Sequence, residues 1–294
     1  MTSVALEAPR RRPVADYLEL SKSRIVFMVV ITTVAGYLFA AQKVDPLLLL
    51  HALIGTALVA AGTNALNQYV ERAHDAKMNR TRTRPLPAGR ITPRAALIFS
   101  WAISIIGTLY LGLAVNWLTA FLGAFTLTSY IFVYTPLKRV STICTVIGAI
   151  PGAVPPLMGW TAATNELAVG GWIVFGILFL WQLPHFMAIS WIYREDYARG
   201  GFVMLSTIDE NGAAVARQAI YYSLALLGVS VLPSLFGMTG LVYLAGATLC
   251  GAAMLAASIR FYFDRGTRNA RSLFMISNLY LLTVMLLLVI DARV

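Results

Sequence analysis

The chain has 294 residues, of which 59% are hydrophobic and 12% are charged, and its mean hydropathy is +0.73. A typical soluble domain is about 25% charged, so this composition excludes an ordinary soluble protein and indicates a polytopic membrane protein. The formal net charge of +10 needs no nucleic-acid partner, because topology alone places basic residues in alternate loops of such proteins.

Nine segments are long and apolar enough to cross a bilayer, since a span needs about 20 mostly apolar residues. Each is expected to be a helix rather than a barrel strand. The predicted fold class is therefore an all-α polytopic membrane helix bundle of nine transmembrane helices. The predicted spans are residues 25–41, 47–69, 93–114, 116–134, 141–159, 170–193, 214–236, 239–259 and 272–290.

Arginine and lysine residues collect in the N-terminal segment and in every second loop, and only Lys43 and Arg293 fall outside this pattern. Positive residues mark cytoplasmic loops, so we expect a cytoplasmic N terminus, an outward C terminus and a site that faces the cytoplasm. The same residues are expected to contact membrane lipid.

We expect residues 1–13 to be disordered and residues 14–294 to form a single transmembrane domain, with a short interfacial helix at 14–23. The N terminus carries arginines but also three acidic residues, and it has no apolar core before Ile25. It therefore resembles neither a signal peptide nor a transit peptide. A bacterial inner membrane fits best.

Asn67, Glu71 and Asp75 recur at every fourth residue where the second predicted span ends. On a helix this spacing places all three side chains on one face. Adjacent carboxylates repel one another, and a hard divalent cation removes the repulsion while leaving positions for substrate phosphates. The pattern predicts a Mg²⁺ and diphosphate site in which these residues are metal ligands and catalytic. The simpler interpretation is a helix end paired to neighbouring basic side chains.

Arginines follow this acidic face within a few residues. Guanidinium groups bind phosphate oxygens in bidentate fashion, so the group as a whole favours an organic diphosphate. Arg84, followed by Pro85, is the first candidate. Each arginine taken singly is equally well explained as an anchor for anionic lipid. The arginines are Arg80, Arg82, Arg84 and Arg90.

The fourth predicted span ends in YTPLKR, residues 134–139. Tyr134 and Lys138 share a helical face if the turn continues past Pro136. Lys138 is then expected to act in catalysis by neutralising the leaving diphosphate. The alternative is that Lys138 and Arg139 are ordinary topogenic charges.

Three prolines lie within the fifth predicted span. Proline removes a backbone hydrogen bond and clashes with the preceding turn. The sequence therefore predicts a helix broken at depth, which occurs where backbone faces protein or a cavity. The prolines are Pro151, Pro155 and Pro156.

His185 follows Pro184 inside the sixth predicted span. It is either a hydrogen-bonded packing residue or a group for metal ligation or proton handling. If the helix continues, Asp196 lies about 20° away on the same face and roughly 16 Å further along the axis. Asp196 is then expected to be a second metal or diphosphate contact across from the first acidic motif, although it also suits a solvated loop charge. Gly200 and Gly201 predict a flexible loop that closes over a pocket.

These motifs together resemble the UbiA superfamily of intramembrane prenyltransferases, and in particular its haem-modifying branch, over nearly the whole chain. The superfamily motif Asn-x-x-x-Asp-x-x-x-Asp matches Asn67, Glu71 and Asp75, with Glu in the middle position. Many relatives carry a second Asp-x-x-x-Asp, whereas only Asp196 is placed for it here. The segments that carry the likeness are DAKMNRTRTRPLPAGRI, YTPLKR, GAVPPLMGW, WQLPHF and DYARGGFVML.

The resemblance implies Mg²⁺-dependent transfer of a farnesyl group from farnesyl diphosphate to a vinyl group of haem B, with addition of water. Haem B is then a substrate rather than a cofactor, and the product serves haem-copper terminal oxidases, through hand-off to haem A synthase or to an oxidase. His185 is the candidate contact for haem iron or a propionate. The residues expected to bind the substrates are Arg80, Arg84, Tyr134, Arg139, Gln182, His185 and Arg194.

Two other functions fit parts of the pattern. A UbiA-type prenyltransferase with an aromatic, quinone-precursor acceptor shares the acidic motif, but WQLPHF and the Asp196 segment argue against it. A small-molecule transporter is suggested by the proline-rich span and by the intramembrane His185. Transporters place their binding groups near the membrane centre, whereas these charges cluster at one water-facing end.

Overall fold

The computed structural model describes residues 13–293 of the chain, so the prediction of disorder for residues 1–13 lies almost wholly outside it. In the described range the regular structure is helical, apart from one isolated bridge between Thr239 and Ala292. A π-helical turn, Ser129–Tyr134, joins α5 to α6. The α-helices are α1 (Pro13–Leu20), α2 (Ser23–Ala40), α3 (Pro46–Asp75), α4 (Pro93–Ala114), α5 (Trp117–Thr128), α6 (Thr135–Leu137), α7 (Cys144–Thr164), α8 (Val169–Ile192), α9 (Arg194–Gly200), α10 (Leu205–Ile208), α11 (Ala213–Ser230), α12 (Leu232–Leu235), α13 (Leu241–Phe263) and α14 (Thr267–Ile290).

Between residues 13 and 293, nine segments are long and apolar enough to cross a membrane. Seven are single helices, and two are composite, α5 to α6 and α11 to α12. The predicted class of nine-helix membrane bundle is therefore confirmed. The predicted interfacial segment at 14–23 contains α1 and then the short turn that leads into α2.

Helix α3 extends well beyond its predicted span of 47–69. Its 30 residues make it about 45 Å long, whereas the hydrocarbon core of a bilayer is about 30 Å thick. The N-terminal end of α3 is capped by Asp45, whose side chain accepts hydrogen bonds from backbone N–H groups of the first turn. Pro46 follows it and has no N–H that would need an acceptor. Helix α3 is therefore long enough for its last turns, with Glu71 and Asp75, to extend beyond the apolar layer.

Helix α7 is continuous, so the prediction that this span is broken at depth is wrong. Pro151, Pro155 and Pro156 all lie inside it. Prolines are tolerated within membrane spans whose backbone packs against protein rather than lipid, and most of this span is buried within the bundle. Gln182 of α8 donates a hydrogen bond through Nε2 to the carbonyl oxygen of Ala149.

Helix α2 packs against the proline-rich face of α7 at very short range. A Cβ atom at Gly36 would come 1.9 Å from the carbonyl oxygen of Pro156, and one at Gly159 would come 2.0 Å from that of Thr33. Small residues allow such approach where no hydrophobic force drives helices together in lipid. The result is a closely packed α2–α7 pair.

We call one end of the bundle the charged end, defined by residues 13–22, 71–92, 135–143 and 193–212. Residues 76–92 form turns without a helix, whereas 193–212 contain α9 and α10. The second segment, expected as a flexible loop, packs against the rest of this end. The Val203 N–H donates to the carbonyl oxygen of Lys138 at 2.7 Å, and His74 Nδ1 lies 2.7 Å from that of Gly200.

Candidate active site

The last turns of α3 carry a buried polar face. Asn67, Glu71 and Asp75 are 1%, 4% and 1% exposed, although two of them are acids near the end of a helix. Their fourfold spacing aligns them along one side of α3. Buried carboxylates require partners, and the charged end supplies a cation for each.

Three cationic side chains, each from a different segment, contact the three residues. Lys138 Nζ lies 2.8 Å from Glu71 Oε1, and Arg84 Nη1 lies 2.8 Å from Asp75 Oδ2. Lys22 Nζ donates a hydrogen bond to Asn67 Oδ1 at 2.9 Å. We call these six residues the α3 cluster.

The α3 cluster sets two carboxylates against three basic side chains, of which Lys138 and Arg84 form the ion pairs. Each carboxylate gives one oxygen to a cation, which leaves its second oxygen outside that ion pair. Oxygen ligands on one helix face suit Mg²⁺, which takes one or two carboxylates and completes its shell with water and substrate phosphates. No group of three or more His, Cys, Asp or Glu side chains that could hold a metal by themselves occurs between residues 13 and 293. The residues therefore fit an ion shared with a substrate.

Lys22 is the member of the α3 cluster that sequence reasoning assigned only to topology. It lies in the turn between α1 and α2 with φ of 52°, in the left-handed region. A left-handed lysine is unusual, and such strain is concentrated at functional sites. Burial, followed by the nearby Arg84 charge, lowers the pKa of Lys22 to about 7. Neither the backbone angle nor the burial has a signal in the sequence SKS.

The π-helical turn Ser129–Tyr134 precedes Lys138, the cation that pairs with Glu71, by four residues. It inserts an extra residue into the turn, and Thr135 Oγ1 donates to the Tyr130 carbonyl five residues earlier. The same Thr135 Oγ1 accepts a hydrogen bond from Asn67 Nδ2 at 3.3 Å. π-helical turns occur frequently at functional sites.

The turn continues through Pro136, so Tyr134 and Lys138 do share a face. Lys138 Nζ lies 4.5 Å from the ring centroid of Tyr134. Burial lowers the pKa of Lys138, but the adjacent Glu71 carboxylate outweighs burial and raises it well above its usual value. Lys138 is therefore a permanent cation in this arrangement.

Asp196 lies outside the α3 cluster. Helix α8 ends at Ile192 and α9 begins at Arg194, so the helical wheel that placed Asp196 above His185 does not apply. Its oxygens accept the backbone N–H groups of Asn79 and Arg80, at 3.0 and 3.3 Å, and pair with Arg199. Burial raises its pKa, but the Arg199 hydrogen bond and these N–H groups lower it overall. Asp196 thus holds the 76–92 segment against α9.

Three predicted substrate-binding arginines lie around the charged end rather than in the α3 cluster. Arg80 stacks on the rings of Tyr193 and Tyr197, with its guanidinium carbon 4.5 and 5.3 Å from their centroids. Arg194 lies 4.3 Å from the ring centroid of Trp191. Arg139 is exposed one residue beyond Lys138.

Gln182 and His185, both buried in α8, contact other helices. Gln182 bonds to the carbonyl oxygens of Ala149 and Leu178. His185 faces α14, where its Nδ1 lies 2.7 Å from Ser277 Oγ. The structure thus divides the predicted residues into the α3 cluster, a set of side chains elsewhere at the charged end, and a separate pair on α8.

Comparison with known proteins gives a consistent result. Residues 29–282 match the model of the UbiA prenyltransferase family. The protoheme IX farnesyltransferase of Solibacter usitatus is 46% identical over 94% of this chain and 98% of its own length. The mitochondrial protoheme IX farnesyltransferase of Homo sapiens is 40% identical over 93% of this chain and 61% of its own length.

Solved structures show the same fold at low sequence identity. A structure described as digeranylgeranylglyceryl phosphate synthase superposes with a TM-score of 0.79 at 19% identity, covering 95% of this chain and 98% of the other. A UbiA homologue from Archaeoglobus fulgidus, bound to GPP and Mg²⁺, superposes with a TM-score of 0.65 at 13% identity, covering 93% and 99%.

Proposed function

Because the chain belongs to the UbiA prenyltransferase family, we propose that it transfers a farnesyl group from farnesyl diphosphate to a vinyl group of haem B. Water adds in the same conversion, and the product carries a hydroxyethylfarnesyl side chain. Relatives at 40–46% identity over most of the chain bear the name protoheme IX farnesyltransferase. The observation that carries the chemistry is the α3 cluster, with its buried carboxylates and three cations.

Asn67, Glu71 and Asp75 are the residues that we propose to hold Mg²⁺. When bound, the ion supplies positive charge that stabilises the departing diphosphate. Asp196, proposed from the sequence as a further ligand, is better explained as an anchor, because its oxygens already accept two backbone N–H groups and contact Arg199.

Lys138, Arg84 and Lys22 bind the diphosphate of the donor in this proposal. As the bond to the farnesyl carbon breaks, negative charge accumulates on the diphosphate, and preorganised cations at the edge of an apolar region stabilise it strongly. Lys138 keeps its proton because Glu71 raises its pKa. Arg84 contributes a fork that suits two phosphate oxygens.

Further contacts for the donor are proposed at the charged end, from Tyr134, Arg80, Arg139 and Arg194. The ring of Tyr134 lies against Lys138, with the ammonium 4.5 Å from the ring centroid. An allylic cation reacts with any accessible water, so the packed 193–212 segment protects the transfer until the haem vinyl carbon attacks.

Gln182 and His185 serve the acceptor in this proposal. Both lie within α8, which is apolar elsewhere and among the most buried of the spans. A buried histidine between aromatic rings is chemically suited to haem, which offers a flat apolar surface and an iron atom.

The protein is a multi-pass membrane protein. We place it in a bacterial inner membrane with the charged end toward the cytoplasm, where the basic residues also contact anionic lipid. Haem O would pass from there to haem A synthase or to a haem-copper oxidase.

The proposal is tested by incubating the purified protein in nanodiscs with haem B, farnesyl diphosphate and Mg²⁺, followed by mass analysis of the extracted haem. We expect the mass of haem B to increase by one farnesyl group and one hydroxyl group, because the second hydrogen of the added water leaves as a proton. A parallel reaction replaces haem B by 4-hydroxybenzoate. Prenylation of the benzoate with haem left unchanged would assign the protein to the quinone-precursor branch instead.

A further inference from the structure

His185 lies in a cage formed by residues of α8 and α14. Trp181 and Phe274 flank the imidazole, each with its ring centroid 4.9 Å away and tilted by 30° and 34°. Ser277 Oγ lies 2.7 Å from Nδ1. The indole N–H of Trp181 donates to the carbonyl oxygen of the same Ser277 at 2.6 Å, which fixes the register of the two helices.

The hydroxyl of Ser277 can donate only one hydrogen bond. It donates to the carbonyl oxygen of Phe274 at 2.7 Å, one turn back on α14. With the hydroxyl directed to Phe274, the oxygen presents a lone pair toward His185, and this arrangement assigns the imidazole proton to Nδ1. In that tautomer Nε2 has an unprotonated lone pair.

Nε2 makes no hydrogen bond within the part of the chain that the structure describes, although His185 is only 9% exposed. Unlike fully buried atoms that lack a partner, such as Trp160 Nε1, Nε2 retains some accessible surface. The cage therefore holds one nitrogen in place and leaves the other for a ligand.

We propose that Ser277 is a positioning residue, which holds His185 in the tautomer whose Nε2 ligates the iron of the haem acceptor. The inference rests on the proposed function, since it requires haem as the acceptor. A hydrogen bond to the far nitrogen fixes the ring orientation of a ligating histidine and increases its basicity. Trp181 and Phe274 prevent the ring from turning away.

The test is a titration of the purified full-length protein with haem B in the absence of farnesyl diphosphate, followed by absorbance and by the iron–histidine stretch of the ferrous complex. Loss of such an outer hydrogen bond typically weakens metal affinity about 10- to 100-fold. We expect that loss for Ser277→Ala, together with a shifted stretch, and a return toward wild type for Ser277→Thr, which restores the hydroxyl.

Ser223→Ala is the matched control, because Ser223 is also a buried helix serine, bonded to Ser258 Oγ at 2.8 Å. It should leave both readouts unchanged, and the thermal unfolding of all variants should agree. An unchanged affinity and stretch in Ser277→Ala overturns the proposal, as does a wild-type spectrum in His185→Ala. Failure of the proposed function is seen separately, as the absence of farnesylated haem in the wild type.

Discussion

The α3 cluster and the His185 cage meet opposite physical demands within one membrane bundle. The α3 cluster lies at the charged end and balances buried carboxylates with cations from three segments. The cage lies between the apolar spans α8 and α14, and its polar atoms are few: Ser277 pairs with Trp181 and with His185 Nδ1, and His185 Nε2 is left without a hydrogen bond among the described residues. Buried charges are thus paired at the end of the bundle, whereas within the bundle His185 Nε2 offers a single lone pair. Variants of the two regions should consequently affect different substrates.

The largest effect is expected for Asp75→Asn. The change removes a buried negative charge that we assign to Mg²⁺ and leaves Arg84 unpaired, so kcat/KM should fall on the order of 10³-fold. Haem affinity should be unaffected. Glu166→Gln, which alters an exposed acid at the opposite end, is the control. Turnover close to wild type in Asp75→Asn would remove the metal assignment.

Lys138→Met should rank next. It leaves the Glu71 carboxylate buried without its cation, which costs about 3 kcal/mol of stability, and it should reduce turnover roughly 100-fold. Thermal unfolding and product formation check these two outcomes. The double variant Lys138→Met with Glu71→Gln should recover stability but not activity, and Lys77→Met serves as an exposed control. Recovered activity in the double variant would show that Lys138 only pairs with Glu71.

Arg84→Ala should mainly weaken binding of farnesyl diphosphate, the prenyl donor. Loss of a charge-assisted hydrogen bond corresponds to about a tenfold rise in the KM for farnesyl diphosphate, with a small change in kcat. Arg82→Ala, in the same segment but exposed, should have no such effect. Equal KM values for the two variants would return Arg84 to a lipid-anchoring role.

Lys22 should show a smaller effect on the donor and a separate effect on stability. Lys22→Ala and Lys22→Gly both remove the amine, so each should raise the KM for farnesyl diphosphate several-fold. The glycine variant should be more stable than the alanine variant by about 1 kcal/mol, because only glycine adopts φ of 52° without strain. Equal unfolding temperatures would mean that the turn relaxes when the lysine is lost.

Asp196→Asn should have the smallest effect and distinguishes an anchor from a metal ligand. Loss of the charge weakens the tie between α9 and the 76–92 segment, so turnover should fall a few-fold while the Mg²⁺ concentration at half-maximal rate stays the same. A large increase in that concentration would instead place Asp196 on the metal. Glu195→Gln, an exposed neighbour, controls for general charge.

The spans and the acidic face could be predicted from the sequence because hydropathy and fourfold spacing are local properties. Asn67, Glu71 and Asp75 share a face on any helix, and α3 provides one. The role of Lys22 depends on a left-handed turn and on a contact 45 residues away, and neither has a local signal.

Asp196 and His185 show a second limit. A helical wheel assumes that one helix continues, but α8 ends before Tyr193 and α9 begins after it, so His185 and Asp196 lie on different helices. Ser277 could not be predicted from the sequence, because serines are common in apolar spans. Only the fold shows that Ser277 contacts a histidine 92 positions earlier in the chain.

The position of the acids at the very end of α3 has a consequence for biosynthesis. Glu71 leaves the ribosome 67 residues before Lys138, which at the usual pace of translation is roughly 3 to 13 seconds. Carboxylates midway along α3 would lie unpaired in the hydrocarbon core during that interval, whereas carboxylates at its C-terminal end can remain hydrated. Helix α3 can thus insert into the bilayer before the charge of Glu71 is neutralised by Lys138.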